Sequence, residues 1–511
     1  MRTNNNFRSN FYILLFAILV AGAGCKKILN QQVQGSYTPG NFFTSDANAQ
    51  QAVNEAYKYL AFNSGATNAI WVLGDLASDD AVKGGSSIGD QADFQSVNQF
   101  NILPTNSAVE AVWGNYYNGV FACNVVLDGL TGNSAVSATM QQQGIAQAEF
   151  LRAYYYFILT TCYGNIPLHL KVETAVESQT PALPQDTIYA RIEQDCIAAA
   201  AVLPTSVPPA QLGTATKGAA LALLAKTYLF HTDLANHYQL AAQTAQQVTA
   251  LGYALTNNYF DNFNANTKNN TEEILTVNHL AGTLGTGNEL NVWFAPRPPV
   301  PTLGYGFFLP TQSLVNNYET APTGEVDPRL DYTIARAGHS YFDLTYDPTW
   351  SLTGYNCKKM CQPLSEVPGA TKNVGTVNYE ALRLSDILLV EAEALNENGQ
   401  SAAALAPLNL VRERARNSYM YDDSLPGYPN VPAGLLPDIT TTDQTQLRAI
   451  IQRERRSELA LEFHRFFDLI RYGSAYATAA LTPNAPAFNY ANNKWFPLPQ
   501  SERDANPNLF K

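Results

Sequence analysis

Near its C-terminus the chain gathers ionisable side chains into one run, Arg453-Glu454-Arg455-Arg456-Ser457-Glu458, continuing to Glu462-Phe463-His464-Arg465-Phe466-Phe467-Asp468. Glu454, Glu458 and Glu462 stand at i, i+4 and i+8, a spacing that lines three carboxylates along one face of a helix. Two acids held ~5–10 Å apart across a sugar perform glycoside hydrolysis. That chemistry needs one acid with a raised pKa, whereas carboxylates interleaved with arginines are held low. The pattern therefore predicts a structural ion-pair lattice. Arg455 and Arg465 are expected to reach the row, with Arg383, Arg412, Arg414 or Arg416 of the preceding helices as further partners. No catalytic residue is assigned, and the chain is expected not to be an enzyme.

Other motifs lack the context that their chemistry requires. Gly85-x-Ser87-x-Gly89 matches a nucleophile elbow, but no apolar strand precedes it. Asn262, Asn264, Asn266 and Glu273 mimic positions of a calcium loop, yet Thr267 stands where glycine should turn the chain. Cys357-x-x-x-Cys361 reads as a bridge or half a metal site without a second pair at zinc spacing. Cys123, Cys162 and Cys196 fall in apolar helical patterns, where they pack as small hydrophobes. No phosphate-cradling loop and no H-E-x-x-H occurs. No metal and no cofactor is expected.

Aromatic residues in irregular segments offer a different chemistry. Sugar rings present C–H faces edged with hydroxyls, so a site for them needs exposed flat platforms beside amides and carboxylates. Trp293, Phe294, Tyr305, Phe307 and Phe308 lie in a Gly/Pro-rich stretch, Leu280 to Pro310, and Tyr346 and Trp350 in the next. Trp293, Tyr305 and Trp350 are the candidate platforms. Asp79, Gln95 and Asn98, with Asp90, are the candidate hydrogen-bonding groups. The competing role for each ring is to pin a long loop onto the scaffold.

Helices must position these loops. Glu149 to Cys162 is apolar nearly all round and is stopped by Gly164 and Pro167, which marks a central buried helix. Thr214 to Gly252 reads as two helices joined near Asp233, with small residues for close approach. Tyr379 to Arg416 repeats that hairpin around Asn398-Gly399. Further helices are expected over Asp46 to Phe62, Ser107 to Leu130, Asp186 to Leu203 and Gln446 to Tyr472. The two hairpins are somewhat longer than the ~34 residues of a tetratricopeptide unit. The expected fold is all-α: about four tetratricopeptide-like pairs stacked into one core, with long irregular loops and minor β elements. The loops are Val72 to Thr105, Leu280 to Pro310, Tyr332 to Val377 and Asn417 to Ile439, and loops of that length are uncommon unless functional.

With 511 residues the chain can bury a large core. Its 31 basic and 43 acidic residues leave a net charge of −12, which repels nucleic acid. Only 14% of residues are charged and 11% are aromatic, so the polar surface is largely uncharged and suits neutral, hydroxyl-rich ligands. At the N-terminus, Arg2 and Arg8 precede an apolar run from Phe11 to Val20, and small residues lead into Cys25. The run is too short to span a membrane. Ala23-Gly24-Cys25 resembles a bacterial lipoprotein box in which Cys25 is acylated, although Gly22 stands where leucine is usual. Residues 1–24 are thus read as a signal peptide, 25–39 as a lipidated tether, and 40–511 as the helical-repeat domain. Ligand-binding insertions are placed at about 72–105, 280–377 and 417–439.

Several stretches in order, Asn41-Phe42-Phe43-Thr44, Phe150-Leu151-Arg152-Ala153-Tyr154-Tyr155 to Tyr163-Gly164-Asn165-Ile166-Pro167, Leu382-Arg383-Leu384-Ser385-Asp386, Leu408-Asn409-Leu410-Val411-Arg412-Glu413-Arg414-Ala415, Glu454-Arg455-Arg456 to Phe467-Asp468-Leu469 and Phe496-Pro497-Leu498-Pro499, resemble the signatures of the SusD/RagB family. The resemblance runs from Cys25 to the C-terminus. It implies a tetratricopeptide-like scaffold that is lipid-anchored on the outer face of a Bacteroidetes outer membrane. It also implies capture of oligosaccharides, or of peptides in some members, and delivery to a SusC-like TonB-dependent barrel. The first loop here, Val72 to Thr105, lacks the tryptophan of the starch-binding type, so the identity of the glycan does not carry over.

Overall fold

The computed structural model describes residues 42–281, 286–298, 303–367 and 371–511. The signal segment, Cys25 and the tether lie outside the described residues. The helical frame consists of α1 (Asp46–Tyr57), α2 (Ala92–Asn98), α3 (Ser107–Leu130), α4 (Ala138–Tyr163), α5 (Gln185–Val202), α6 (Lys217–Phe230), α7 (His237–Thr249), α8 (Leu384–Glu397), α9 (Ser401–Asn417), α10 (Gln444–Glu458) and α11 (Arg465–Arg471). Consecutive members of the series from α3 to α9 pack on one another, with α1 against α3 and α4, and α10 against α8 and α9. This is the stacked, tetratricopeptide-like arrangement expected from the apolar periodicity, and it makes the protein predominantly helical.

Local chemistry sets the helix ends. The side chains of Asn106, Ser137, Thr216 and Asp443 accept hydrogen bonds from the first-turn amides of α3, α4, α6 and α10. Gly164, at φ +72°, terminates α4. From Phe150 to Tyr163, α4 is buried on nearly every side, as its all-round apolar pattern demands. Cys123, Cys162 and Cys196 are buried with free thiols.

The strands are minor, as anticipated: β1 (Ala81–Lys83), β2 (Glu273–Val277), β3 (Phe308–Pro310), β4 (Ile334–Ala335), β5 (Ser340–Tyr341), β6 (Leu344–Thr345), β7 (Asn356–Cys357) and β8 (Tyr379–Arg383). They pair antiparallel as β1 with β3, β2 with β8, β4 with β7 and β5 with β6. Three expectations need correction. The Val72 to Thr105 stretch is largely structured: a π-helical turn at Val72–Leu76, β1 and α2. Tyr379–Arg383 opens the last hairpin as a strand, because its backbone pairs with β2. The helix expected over Gln446 to Tyr472 breaks after Glu458 and restarts at Arg465.

That break has a tertiary cause. Asp75 in the π-helical turn accepts from the amides of Phe463 (2.8 Å) and Arg465 (3.1 Å). Leu461 and Phe463 adopt positive φ to reach it. The carbonyl of Glu458, freed at the helix end, accepts from Tyr259 Oη (2.8 Å) and Arg383 Nη2 (2.9 Å). Gly74 makes this approach possible, since a Cβ there would lie 2.2 Å from the carbonyl oxygen of Phe463.

Candidate functional site

The glutamate row sits where the helical frame meets the loop layer, and it is saturated with cations. Glu454 accepts from Arg329 (2.6 Å) and Arg412 (2.7 Å). Glu458 accepts from Arg329 (2.9 Å), Arg383 (2.6 Å) and Arg414. Glu462 accepts from Arg383 (2.8 Å) and Lys359 (2.7 Å). Glu272, which sequence spacing gave no reason to include, joins through Arg383 (2.9 Å) and Arg414 (2.5 Å). Burial alone would raise the pKa of Glu458, but Arg414, Arg383 and Arg329 hold it well below the ordinary value. Glu462 is likewise lowered against its burial by Arg383 and Lys359. Carboxylates held ionised in this way have no proton to donate as general acids.

Four residues expected in or around the row are placed differently. Glu462 lies beyond the end of α10, so the three acids do not share one helical face. Arg455 and Arg465 do not reach the row. Arg455 turns to Asp386 (2.6 Å) and Asp468 (2.8 Å), and Arg465 binds Asp79 (2.8 Å). Arg416 turns outward to Asp438 (2.8 Å). Sequence periodicity places these guanidiniums on a helix but says nothing of acids that arrive from distant segments.

The loop residues divide into two groups. Trp293 is only 5% exposed. Its Nε1 donates to Glu289 (3.1 Å), the backbone of Gly65 lies against the indole, and Trp71, Phe94, Tyr305 and Phe307 surround it. A ring so enclosed cannot stack on a sugar, so Trp293 acts as a core residue. Phe294, Phe307, Phe308 and Tyr346 are also buried. Asp79 is buried against Arg465 and Arg456, leaving it no free acceptor for a ligand. Asn98 stitches the loop together, donating to Leu76 O (2.8 Å) and accepting from Lys83 N (3.4 Å).

Tyr305, Trp350 and Gln95 remain half-exposed. Tyr305 leans its edge on Trp293 with centroids 5.8 Å apart, and among the described residues its hydroxyl has no protein partner. Gln95, next to the buried Phe94 on α2, makes no side-chain hydrogen bond among the described residues. Trp350 is braced edge-on by Tyr346 at 5.5 Å, whose hydroxyl donates to Asn356 (2.7 Å). Backbone pairing draws these segments into one layer. Gly85 N donates to Gly306 O (2.9 Å), Thr311 N to Asp80 O (2.9 Å), and β3 packs on β7 as well as pairing with β1. Tyr355, which carries no signal of its role in the local sequence, ties its loop to the short helix at Gln312–Val315 by donating to Gln312 (2.6 Å). Asp90 is held by Ser86, which donates to it from both its backbone amide (2.8 Å) and its hydroxyl (2.6 Å).

The residues of the calcium-like spacing are otherwise engaged, with Asn262 donating to Glu272 (3.0 Å). Cys357 and Cys361 are buried free thiols, and Cys357 donates to Lys359 O (3.2 Å). Among the described residues no cluster of His, Cys, Asp and Glu is arranged to hold a metal. No described helix is long and apolar enough to cross a membrane.

The fold and site together define a helical-repeat scaffold with neutralised internal carboxylates and an elaborated loop face. Residues 255–511 match the model of the SusD family, and residues 38–229 match a family described as starch-binding and associating with the outer membrane. The chain belongs to the SusD family. SusD-like protein P2 of Formosa agariphila is 27% identical, with 98% of each chain covered. Among solved structures, a laminarin-binding SusD-like protein is 29% identical with a TM-score of 0.72, covering 91% of this chain and 98% of that one. Surface glycan-binding protein A from Bacteroides fluxus is 26% identical with a TM-score of 0.72, covering 90% of this chain and 96% of that one.

Proposed function

We propose that this protein is a cell-surface lipoprotein of the outer membrane that captures an oligosaccharide and delivers it, uncut, to a SusC-like TonB-dependent transporter. The observation that carries glycan capture is the 29% identity, over 91% of this chain, to a structure named as laminarin-binding. Tyr305 and Trp350, flat rings presented by the loop layer, supply the platform, and Gln95 an amide for hydroxyl groups. Acylation of Cys25 and the tether over 25–39 provide the attachment, and residues 40–511 the binding domain. The absence of catalysis is supported by the glutamate lattice, whose acids are committed to arginines.

The test is calorimetric titration of the mature protein with β-1,3- and α-1,4-linked glucose hexamers and with unrelated peptides, followed by chromatography of the recovered glycan. Saturable binding to a glycan, weakened at least about tenfold by combining Tyr305→Ala with Trp350→Ala, and recovery of the hexamer intact are the expected results. Shortened products would instead establish a hydrolase. Binding of peptides alone would establish a peptide-uptake protein.

A further inference from the structure

Away from the loop layer, the ends of α4, α5 and α6 meet α11 and the C-terminal segment around a cleft of about 420 Å³. That size falls in the ~300–1,000 Å³ range of small-molecule sites. Phe230 and Phe467 supply an apolar lining, Trp495 forms a wall, and the rim is polar. The wall is fixed by the backbone. Phe496 N donates to Cys162 O (2.9 Å), and the indole of Trp495 lies on Gly164, where a Cβ would come within 2.6 Å of the ring.

The rim side chains have a shared habit. Asn165 Oδ1 accepts from Gln185 N (3.1 Å), Gln185 Nε2 donates to Thr160 O (2.8 Å), and Asp186 Oδ1 bonds His231 Nε2 (2.5 Å). His231 is itself braced by Glu193 (2.6 Å). Each of the three thus uses one polar atom to fix its orientation. The other atom, Asn165 Nδ2, Gln185 Oε1 or Asp186 Oδ2, has no protein partner among the described residues. A donor and two acceptors are therefore pre-oriented beside an aromatic wall, the combination that hydroxyl-edged rings require.

Charge in the cleft is mixed. Asp186 and Asp233 oppose Lys494 and Arg471, and Arg471 is already bound by Asp468 and Glu393. The Lys494 ammonium rests 4.1 Å from the Trp495 ring centroid. Its flexible stem lets it swing aside, at the modest cost of one half-exposed cation–π contact.

We infer that this cleft is a second saccharide-binding subsite, taking a short neutral saccharide with one ring against Trp495 and hydroxyls on Asn165, Gln185 and Asp186. The inference rests on the reading that the protein captures a glycan. The test titrates the mature protein with the same two glucose hexamers in three forms: wild type, Tyr305→Ala/Trp350→Ala, and Thr232→Trp, which places bulk at an exposed rim position without removing packing. Asp233→Trp serves as a second block should Thr232→Trp melt early. Two sites per chain in the wild type are expected. One should survive the loop substitutions, and one should lose at least tenfold in affinity in Thr232→Trp while the other is unchanged. A single site removed by the loop substitutions and indifferent to either block overturns the subsite alone. A wild type that binds neither hexamer nor any other glycan overturns the capture reading itself, and the subsite with it.

Discussion

Burying Glu458 costs several kcal/mol unless cations and donors surround it, and Arg329, Arg383 and Arg414 do so from three separate segments. Arg383 is the hub, because it also binds Glu272 and Glu462. Arg383→Met would leave these acids underneutralised in the interior, and a loss of about 3–5 kcal/mol is expected in denaturant unfolding. The pH dependence follows from sign. Glu272, Glu458 and Glu462 are all held below the ordinary 4.5 in the folded state. Their contribution is fully present above about pH 4.5 and is lost as the pH falls toward their folded pKa values, since the unfolded chain then binds more protons. Denaturation midpoints measured from pH 7 down to pH 3 should fall steeply below pH 4.5 in the wild type and less steeply in Arg383→Met. That the row would be neutralised by arginines, with Arg383, Arg412 and Arg414 of the preceding hairpin among them, was legible in the charge pattern, whereas Arg329 and Lys359 were not. The individual pairings were not legible either, because Asp79, Asp386 and Glu272 reach the lattice only through folding.

Helix α3 shows how the same substitution changes sign with position. A Cβ at Gly119 would lie 2.6 Å from the ring of Tyr155 on α4, whose hydroxyl is tied to Ala56 O. A Cβ at Gly114 meets nothing within 4 Å. Gly114→Ala should therefore raise stability by up to ~1 kcal/mol through helix propensity. Gly119→Ala should lower it by ~1–3 kcal/mol, the cost of overpacking outweighing the propensity gain. Thermal unfolding of the two variants against wild type checks the pair. At this scale the periodicity of α3, α4 and α5 was readable because a helix buries a stripe set by its own spacing. The break between α10 and α11 was not. Leu459 to His464 carries the composition of a continuing helix, and only Asp75, far away in the chain, claims the amides that a helix would use.

For the molecule as a whole, the stacked helices carry a layer in which the segments around Asp80–Gly85, Gly306–Thr311 and β7 are joined by backbone pairing and packing. The reading as a tethered capture protein predicts a further outcome. Cys25→Ser in the full-length chain should abolish incorporation of labelled fatty acid and move the protein from the membrane pellet to the soluble fraction, because dual acylation is what makes such attachment effectively permanent. Retention in the pellet with no label would contradict the anchor.

By itself the sequence determined the helical architecture, the compensation of the internal acids by arginines and the family, because apolar spacing, an excess of arginines beside the acids and ordered short motifs are local properties. Tertiary structure alone decided which aromatics face water. Trp293 and Trp350 are indistinguishable as loop tryptophans. The first is enclosed by Gly65, Trp71, Phe94 and Phe307 and donates to Glu289, while the second, braced edge-on by Tyr346, stays partly exposed. The accessibility of a ring depends on what packs across it from elsewhere in the chain, and no local spacing encodes that.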